Sequence, residues 1–274
     1  SRRDSTPLGC MVFLFRLLGR IPLRLLHPLG ACAAWLTYVL SPTYRRHLGE
    51  NIRQAGFDDR VRRKAIGEAG KQMLEILRIW SLPLDKAIAQ VVEVRGWEYV
   101  EAAQRAGKGI LFLTPHLGCF EIAAQGLAMR YAQRYGPLTV LYRPARQAWL
   151  AKLMVQARDR PGLKSAPTTL AGVRQMIRSL RSGHAVGLLP DQVPPDGMGV
   201  WAPFFGRDAY TMTLSARLAQ QTGATVLLLW GERLAWGRGY RLHFRELQQA
   251  LASDMGGAVR QINQEMERLI RECP

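Results

Sequence analysis

GKGILFLTPH, residues 107–116, is the stretch of sequence that decides the fold. The apolar run from residue 109 to residue 114 is short and uninterrupted, which is typical of a strand buried on both faces of a sheet. Pro115 and Gly118 break the run, because neither residue favours a continuing strand. The sequence therefore predicts a buried strand that ends just before His116.

The segments on either side of this stretch alternate between strand and helix. The predicted strands are 109–114, 137–144, 184–192, 224–230 and 239–245, and the predicted helices are 118–134, 147–158, 169–183, 209–222 and 257–272. Apolar strands that alternate with helices favour an α/β fold with a mainly parallel central sheet, flanked by helices on both faces.

Polar side chains follow three of the predicted strands, and these are His116, Arg143 and Asp191. Ligands of such folds bind at the carboxyl ends of the strands, so these residues are candidates for a functional site. The sequence contains no GxGxxG and no GxxxxGK[ST] motif, so no nucleotide cofactor is indicated, and we expect none.

The most apolar region of the chain is residues 8–40, LGCMVFLFRLLGRIPLRLLHPLGACAAWLTYVL. Arg16, Arg20 and Arg24 interrupt it every four residues and so lie on one face of a helix. This pattern favours a helix that lies in the headgroup layer of an anionic membrane surface. The alternatives are a core helix whose arginines reach water and a helix that spans the membrane.

A spanning helix needs about 20 nearly uncharged residues, and the cleanest run here, 25–40, is shorter and contains Pro28. We therefore expect an amphipathic, membrane-associating helical segment over residues 1–50. An α/β domain is expected over residues 51–274.

The charge of the chain indicates an acidic partner. Its 274 residues include 38 Lys and Arg against 21 Asp and Glu, a formal net charge of +17. Nucleic acid, an anionic membrane and an acidic protein or substrate are all compatible with this charge. The mean hydropathy of −0.09 excludes a polytopic membrane protein. The four cysteines contain no CxxC pair, so we expect reduced thiols rather than a zinc site or a disulfide scaffold.

His116 and Glu121 lie in TPHLGCFE, around the end of the predicted strand. His116 is expected in the turn and Glu121 in the first turn of the next helix, where its carboxylate could bond one ring nitrogen. Such a bond fixes the tautomer and leaves the other nitrogen free to take a proton from a hydroxyl. A single histidine near a strand end is also often an ordinary structural residue. Metal binding is less favoured, since no second His or Cys stands at ligand spacing.

HLGCFE (116–121) resembles the His-x4-acidic signature of glycerolipid-type acyltransferases, with Glu in place of the commoner Asp. Further stretches resemble one branch of them, the bacterial lipid A biosynthesis (lauroyl/myristoyl) acyltransferases. These stretches are RRHLGENIRQAGF (45–57), LTVLYRP (138–144), GVRQMIRSLRSGHAVGLLPDQ (172–192) and VWAPFFGRDAYTMT (200–213). The most specific part is PDQ followed by PFFG-x-x-A-x-T.

This resemblance implies transfer of a fatty acyl chain from a thioester to a hydroxyl of a lipid A precursor, a step of lipopolysaccharide biosynthesis. The donor would be acyl carrier protein or acyl-CoA, and the acceptor a phosphorylated lipid at the cytoplasmic face of the bacterial inner membrane. His116 would be the general base and Glu121 its positioning partner. Arg143, Arg158 and Asp191 would bind substrate, the arginines through phosphate and Asp191 through an arginine or a sugar hydroxyl.

Two other functions remain open on the sequence. The same chemistry could act on a lysolipid, an ornithine lipid or another glycolipid, since the motifs indicate the reaction and not the sugar. A non-catalytic basic protein that binds membranes or nucleic acid would also account for the charge. The sequence lacks RRM, KH and zinc-finger patterns, so we expect no nucleic acid partner.

Overall fold

The protein is described from a computed structural model, which covers residue 17, residues 19–142 and residues 160–274. Within these residues the chain divides into two compact units. The first contains described residues up to Val92, together with Arg160 and Arg233–Tyr240. The second contains residues 93–142, 161–232 and 241–274.

A mostly parallel sheet organises the fold. In the part of the chain that the structure describes, its strands are β1 (Val91–Arg95), β2 (Ile110–Leu113), β3 (Leu138–Tyr142), β4 (Leu163–Pro167), β5 (Ala185–Leu188), β8 (Thr225–Arg233) and β9 (Tyr240–Glu246). They are ordered β1-β9-β8-β2-β5-β3-β4, and the pairs β8–β2, β2–β5, β5–β3 and β3–β4 are parallel. The predicted α/β class is therefore confirmed.

Helices of the second unit cover both faces of β2. These helices are α5 (Trp97–Arg105), α6 (Phe120–Tyr135), α7 (Leu170–Arg181), α8 (Leu214–Thr222) and α9 (Met255–Glu272). Leu111 and Leu113 point into a core that contains buried residues of α7, α8 and α9. Phe112 points to the opposite face, where its ring contacts Tyr131 of α6. Burial on both faces is the reason that this strand is apolar throughout.

A β-hairpin of the second unit stands outside this sheet. Strands β6 (Gly199–Phe204) and β7 (Arg207–Met212) pair antiparallel, and Phe205 and Gly206 form a two-residue turn with positive φ at both positions. The helix predicted over 209–222 is thus wrong in its first part, since only Leu214–Thr222 is helical. The hairpin turn outweighs helix propensity here, because its strands pair with each other and pack on α9.

The first unit contains the helices α1 (Leu23–Leu40), α2 (Pro42–Gln54), α3 (Asp59–Ser81) and α4 (Leu84–Ile88). Helices α1 and α3 cross where Gly30 meets Gly70, so closely that a Cβ on Gly70 would lie 1.9 Å from the Gly30 carbonyl oxygen. By length and composition alone, α1 is a candidate to cross a membrane, and 22% of it is buried. The apolar N-terminal helix is therefore present, while its association with a membrane stays a prediction.

A buried ionic network joins α1, α3 and the end of β8 within the first unit. The Glu75 carboxylate accepts hydrogen bonds from Nε of Arg233 at 2.8 Å and from the Tyr240 hydroxyl at 3.0 Å. Nε2 of His27, from α1, lies 3.3 Å from the same carboxylate. The Arg233 guanidinium also bonds Glu68. The bonds from Arg233 and His27 hold the pKa of Glu75 below its usual value, although burial alone would raise it.

Candidate active site

The candidate site lies at the carboxyl ends of β2 and β5. These strands are parallel neighbours, and Leu113 of β2 is in register with Leu188 of β5. His116 and Asp191 each stand three residues beyond that registered pair. Since the two strands end at the same edge of the sheet, equal extensions past the register bring the imidazole and the carboxylate together.

Asp191 holds His116 through two bonds. Its Oδ2 accepts the backbone N–H of His116 at 2.7 Å, and its Oδ1 lies 2.7 Å from Nδ1 of the ring. An ionised carboxylate can only accept hydrogen bonds, so Nδ1 carries the proton and the lone pair of the neutral ring is on Nε2. One carboxylate thereby fixes both the tautomer of the imidazole and the turn that carries it.

The imidazole of His116 is the more accessible member of the pair. The side chain of His116 is 32% exposed and that of Asp191 is 18% exposed. The side-chain amide nitrogen of Gln192 lies 3.3 Å from Nε2, where an amide N–H can donate to the lone pair. The ring of Phe120 contacts the imidazole edge-on, with the centroids 4.9 Å apart. A hydroxyl group that displaced the Gln192 amide would thus meet a basic nitrogen.

The turn after β2 requires two glycines that face each other. Gly118 has φ +59°, and a Cβ on it would lie 2.1 Å from the carbonyl oxygen of Gly231 in β8. That same oxygen accepts the backbone N–H of Cys119 at 2.8 Å. The close approach fixes the path of the chain from His116 to the start of α6.

Glu121 is the second residue of α6 and is buried, with 3% of its surface exposed. The carboxylate that bonds Nδ1 of His116 is that of Asp191, so the predicted bond from Glu121 to the ring is wrong. The reason is that Asp191 extends from the neighbouring strand directly opposite the turn, whereas Glu121 belongs to the helix. The catalytic role assigned to Glu121 stays a prediction.

Arg143 and Arg158, which were expected to bind substrate, lie outside the described residues, as does the helix predicted over 147–158. Asp191 was expected to bind an arginine or a sugar hydroxyl, and its observed bonds are to His116. Gln192 is the last residue of the PDQ motif and has no predicted role of its own. Its position beside Nε2 depends on strand register, which the sequence pattern does not show.

A partly exposed histidine whose Nδ1 bonds a carboxylate, so that its Nε2 can accept a proton, is the arrangement that general-base enzymes use. Within the described ranges no group of three or more His, Cys, Asp or Glu side chains could hold a metal ion. Fold and site together define an α/β protein with the geometry of a general-base site.

The chain belongs to a family described as bacterial lipid A biosynthesis acyltransferase, whose model matches residues 10–274. The resemblance seen in HLGCFE, PDQ and PFFG is thereby confirmed. A lipid A biosynthesis palmitoleoyltransferase of Escherichia coli (strain K12) is 26% identical over 206 residues, which are 75% of this chain and 65% of that protein. A lipid A biosynthesis lauroyltransferase of the same strain is 28% identical over 182 residues, 65% of this chain and 56% of that protein.

A phosphatidylinositol mannoside acyltransferase of Mycobacterium tuberculosis (strain CDC 1551 / Oshkosh) is 27% identical over 175 residues, 61% of this chain and 54% of that protein. The chain thus spans between about half and two thirds of the length of these relatives.

Proposed function

We propose that this protein is an acyltransferase that moves a fatty acyl chain from an acyl thioester to a hydroxyl of a lipid A precursor. The observation that carries the proposal is the His116–Asp191 pair, placed at the strand ends in a chain of this family. Acyl carrier protein is the proposed donor. The cytoplasmic face of the bacterial inner membrane is the proposed location.

The ring geometry supports the following reaction. The acceptor hydroxyl displaces the Gln192 amide and donates to Nε2 of His116. As its oxygen attacks the thioester carbonyl carbon, Nε2 takes the proton, and the Asp191 carboxylate stabilises the imidazolium. The tetrahedral intermediate then collapses, the carbon–sulfur bond breaks, and the imidazolium returns the proton to the leaving thiolate. No acyl-enzyme is needed when both substrates bind together.

The remaining predicted residues have supporting roles in this proposal. Glu121, buried in the first turn of α6, is proposed to position His116 from the helix that follows the turn. Arg143 and Arg158 are proposed to bind phosphate groups of the substrates, for which a guanidinium is well suited. The net charge of +17 would attract both an acidic carrier protein and a phosphorylated acceptor.

The test is an assay of purified protein with an acyl-carrier-protein thioester and a lipid A precursor. We expect His116→Ala to lower kcat by roughly 10²-fold or more, the usual contribution of a general base. His47→Ala, an exposed histidine of α2, is the matched control and should retain activity. Full activity in His116→Ala would reject the mechanism, and equal rates with acyl-CoA would reject the preference for a carrier protein.

A different lipid acceptor is the second candidate, because one relative is a phosphatidylinositol mannoside acyltransferase. A glycolipid acceptor would need the same His116 chemistry with another headgroup. Mass spectrometry of the lipids from a deletion strain separates the two candidates. Unchanged lipid A acylation together with loss of one acyl chain from another glycolipid would favour this second acceptor.

A further inference from the structure

The turn between β8 and β9 carries a highly exposed tryptophan. Trp236 is 87% exposed, the highest value among the large apolar side chains that the structure describes as exposed. It lies in a 3-10 turn, Ala235–Gly237, and has φ +61°, a conformation that a bulky residue rarely adopts. The backbone thus directs an apolar ring into solvent at an unfavourable dihedral angle.

This turn is held firmly by other parts of the first unit. A Cβ on Gly237 would lie 2.5 Å from the backbone nitrogen of Arg24, so the turn contacts the first residues of α1. On the other side, the N–H of Tyr240 donates to the carbonyl oxygen of Gln90 at 2.8 Å. These two contacts set the position of the backbone that carries Trp236.

Helix α1, which the turn contacts, exposes a row of apolar side chains. Leu25, Leu29, Leu36 and Val39 are each more than half exposed and recur at helical spacing. Together they form an apolar stripe on the side of α1 that does not pack on α3. Among the described residues of the first unit, this stripe and Trp236 are exposed apolar side chains of the kind found at interaction sites.

The segment that leads into α1 and forms it has basic but no acidic side chains. No Asp or Glu occurs between residues 5 and 49, whereas Arg20, just before α1, and Arg24, in its first turn, are exposed. The turn adds Arg238, also exposed, whose Nε donates to the carbonyl oxygen of Ala235 at 3.1 Å. Apolar side chains together with exposed arginines match an anionic bilayer surface, where phosphates lie above the acyl chains.

We propose that the 235–238 turn is a membrane anchor, with the Trp236 ring in the headgroup layer of an anionic phospholipid bilayer and Arg238 near the phosphates. A tryptophan ring has an apolar body and a polar N–H, which is why it is favoured at this depth. The proposal rests on the membrane association proposed above, and it assigns part of that association to a turn more than two hundred residues after α1 begins.

The test is flotation of the full chain with vesicles of phosphatidylcholine and phosphatidylglycerol. Trp236→Gly removes the ring and suits the positive φ, so the fold should be preserved, and circular dichroism checks this. We expect Trp236→Gly to bind these vesicles roughly tenfold more weakly, the effect of withdrawing one large apolar side chain from lipid. Trp236→Tyr should restore most of the binding.

Trp201→Ala is the matched control, since Trp201 is also exposed, at 71%, but lies on hairpin strand β6 of the second unit. Binding that falls equally in both variants, or in neither, would overturn the proposal. Unchanged binding with an altered oligomeric state in Trp236→Gly would assign the turn to a protein partner and would also overturn it. Activity on detergent-dispersed substrate should be unchanged in Trp236→Gly, which separates this inference from the proposed reaction.

Discussion

At the residue scale, the orientation of His116 depends on a carboxylate that lies 75 residues away in sequence. Asp191 bonds both the ring and the backbone N–H, so it sets the tautomer and the position of the turn together. A group that accepted only one of these bonds would leave the lone pair of the imidazole without a fixed direction.

We predict that Asp191→Asn lowers kcat by roughly 10²-fold or more and changes KM little, because an amide cannot accept both bonds and can reverse the tautomer. Steady-state kinetics with the lipid acceptor measures kcat and KM separately. Asp196→Asn, in the exposed loop that follows, is the control and should behave like the unmodified protein. A normal kcat in Asp191→Asn would contradict the role given to this carboxylate.

A second histidine, His243, predicts how stability depends on pH. Its ring stacks on Trp230 with the centroids 4.5 Å apart, and burial lowers its pKa below the ordinary value. Since the unfolded chain takes up this proton more readily, the contribution to stability is present above about pH 6.5 and is lost as the pH falls further. Burial alone would raise the pKa of its partner Glu232, but hydrogen bonds from His243 and Arg241 outweigh burial and lower that pKa. Protonation of Glu232 at lower pH therefore also reduces the stability of the folded protein.

We therefore expect Tm to fall as the pH drops from about 7 to about 5, and to fall less steeply in His243→Gln. Calorimetry over that range provides the measurement, with the exposed His47→Gln as control. Parallel curves for His243→Gln and the unmodified protein would show that this ring does not contribute to the acid sensitivity.

At the scale of elements, pattern and structure agree where a segment is buried on both faces. The run 109–114 predicted β2, and 118–134 predicted α6, to within two residues. A continuous apolar run that ends at turn-forming Pro and Gly is compatible with few other structures. Strands with exposed positions were harder to find. The strand β4, LKSAP, and the hairpin strands were missed, since their alternation is short and mixed with polar residues.

The candidate site was also predicted only in part. His116 and Asp191 were each predicted as polar residues at strand ends, but their pairing was not. It depends on the register of Leu113 with Leu188, which is set by packing between strands distant in sequence. Glu121 was the predicted partner because only its separation from His116 is visible in the sequence.

The packing of α1 on α3 yields a prediction about charge burial. Glu75 is fully buried and pairs with the Arg233 guanidinium, which is also nearly inaccessible. Glu75→Gln removes the buried counter-charge of the Arg233 guanidinium and leaves it the partly exposed Glu68, so we expect a loss of about 3 kcal/mol in the free energy of unfolding. Urea denaturation followed by circular dichroism measures the loss.

Glu68→Gln is the control within the same network. Its side chain is 41% exposed, so we expect a change of about 1 kcal/mol or less. Equal losses in Glu68→Gln and Glu75→Gln would show that burial is not what makes the inner carboxylate important.

At the scale of the whole molecule, the net charge of +17 predicts a salt effect on substrate capture. Attraction between a basic enzyme and an acidic carrier protein weakens as the Debye length shortens. We expect kcat/KM for an acyl-carrier-protein donor to fall by roughly tenfold between low and high salt, with kcat nearly constant. Stopped assays over a salt series would show this, and a kcat/KM independent of salt would argue against electrostatic attraction.

The two hydrogen bonds between Asp191 and His116 have a practical consequence for capturing the substrates. The hydrogen bond from the backbone N–H of His116 to Oδ2 of Asp191 does not involve the imidazole. We therefore expect it to persist when the side chain of residue 116 is shortened to a methyl group. The loop should then keep its place while the proton acceptor is missing. His116→Ala would accordingly form a stalled ternary complex, in which thioester and alcohol lie side by side unreacted, suited to crystallography or cryo-electron microscopy.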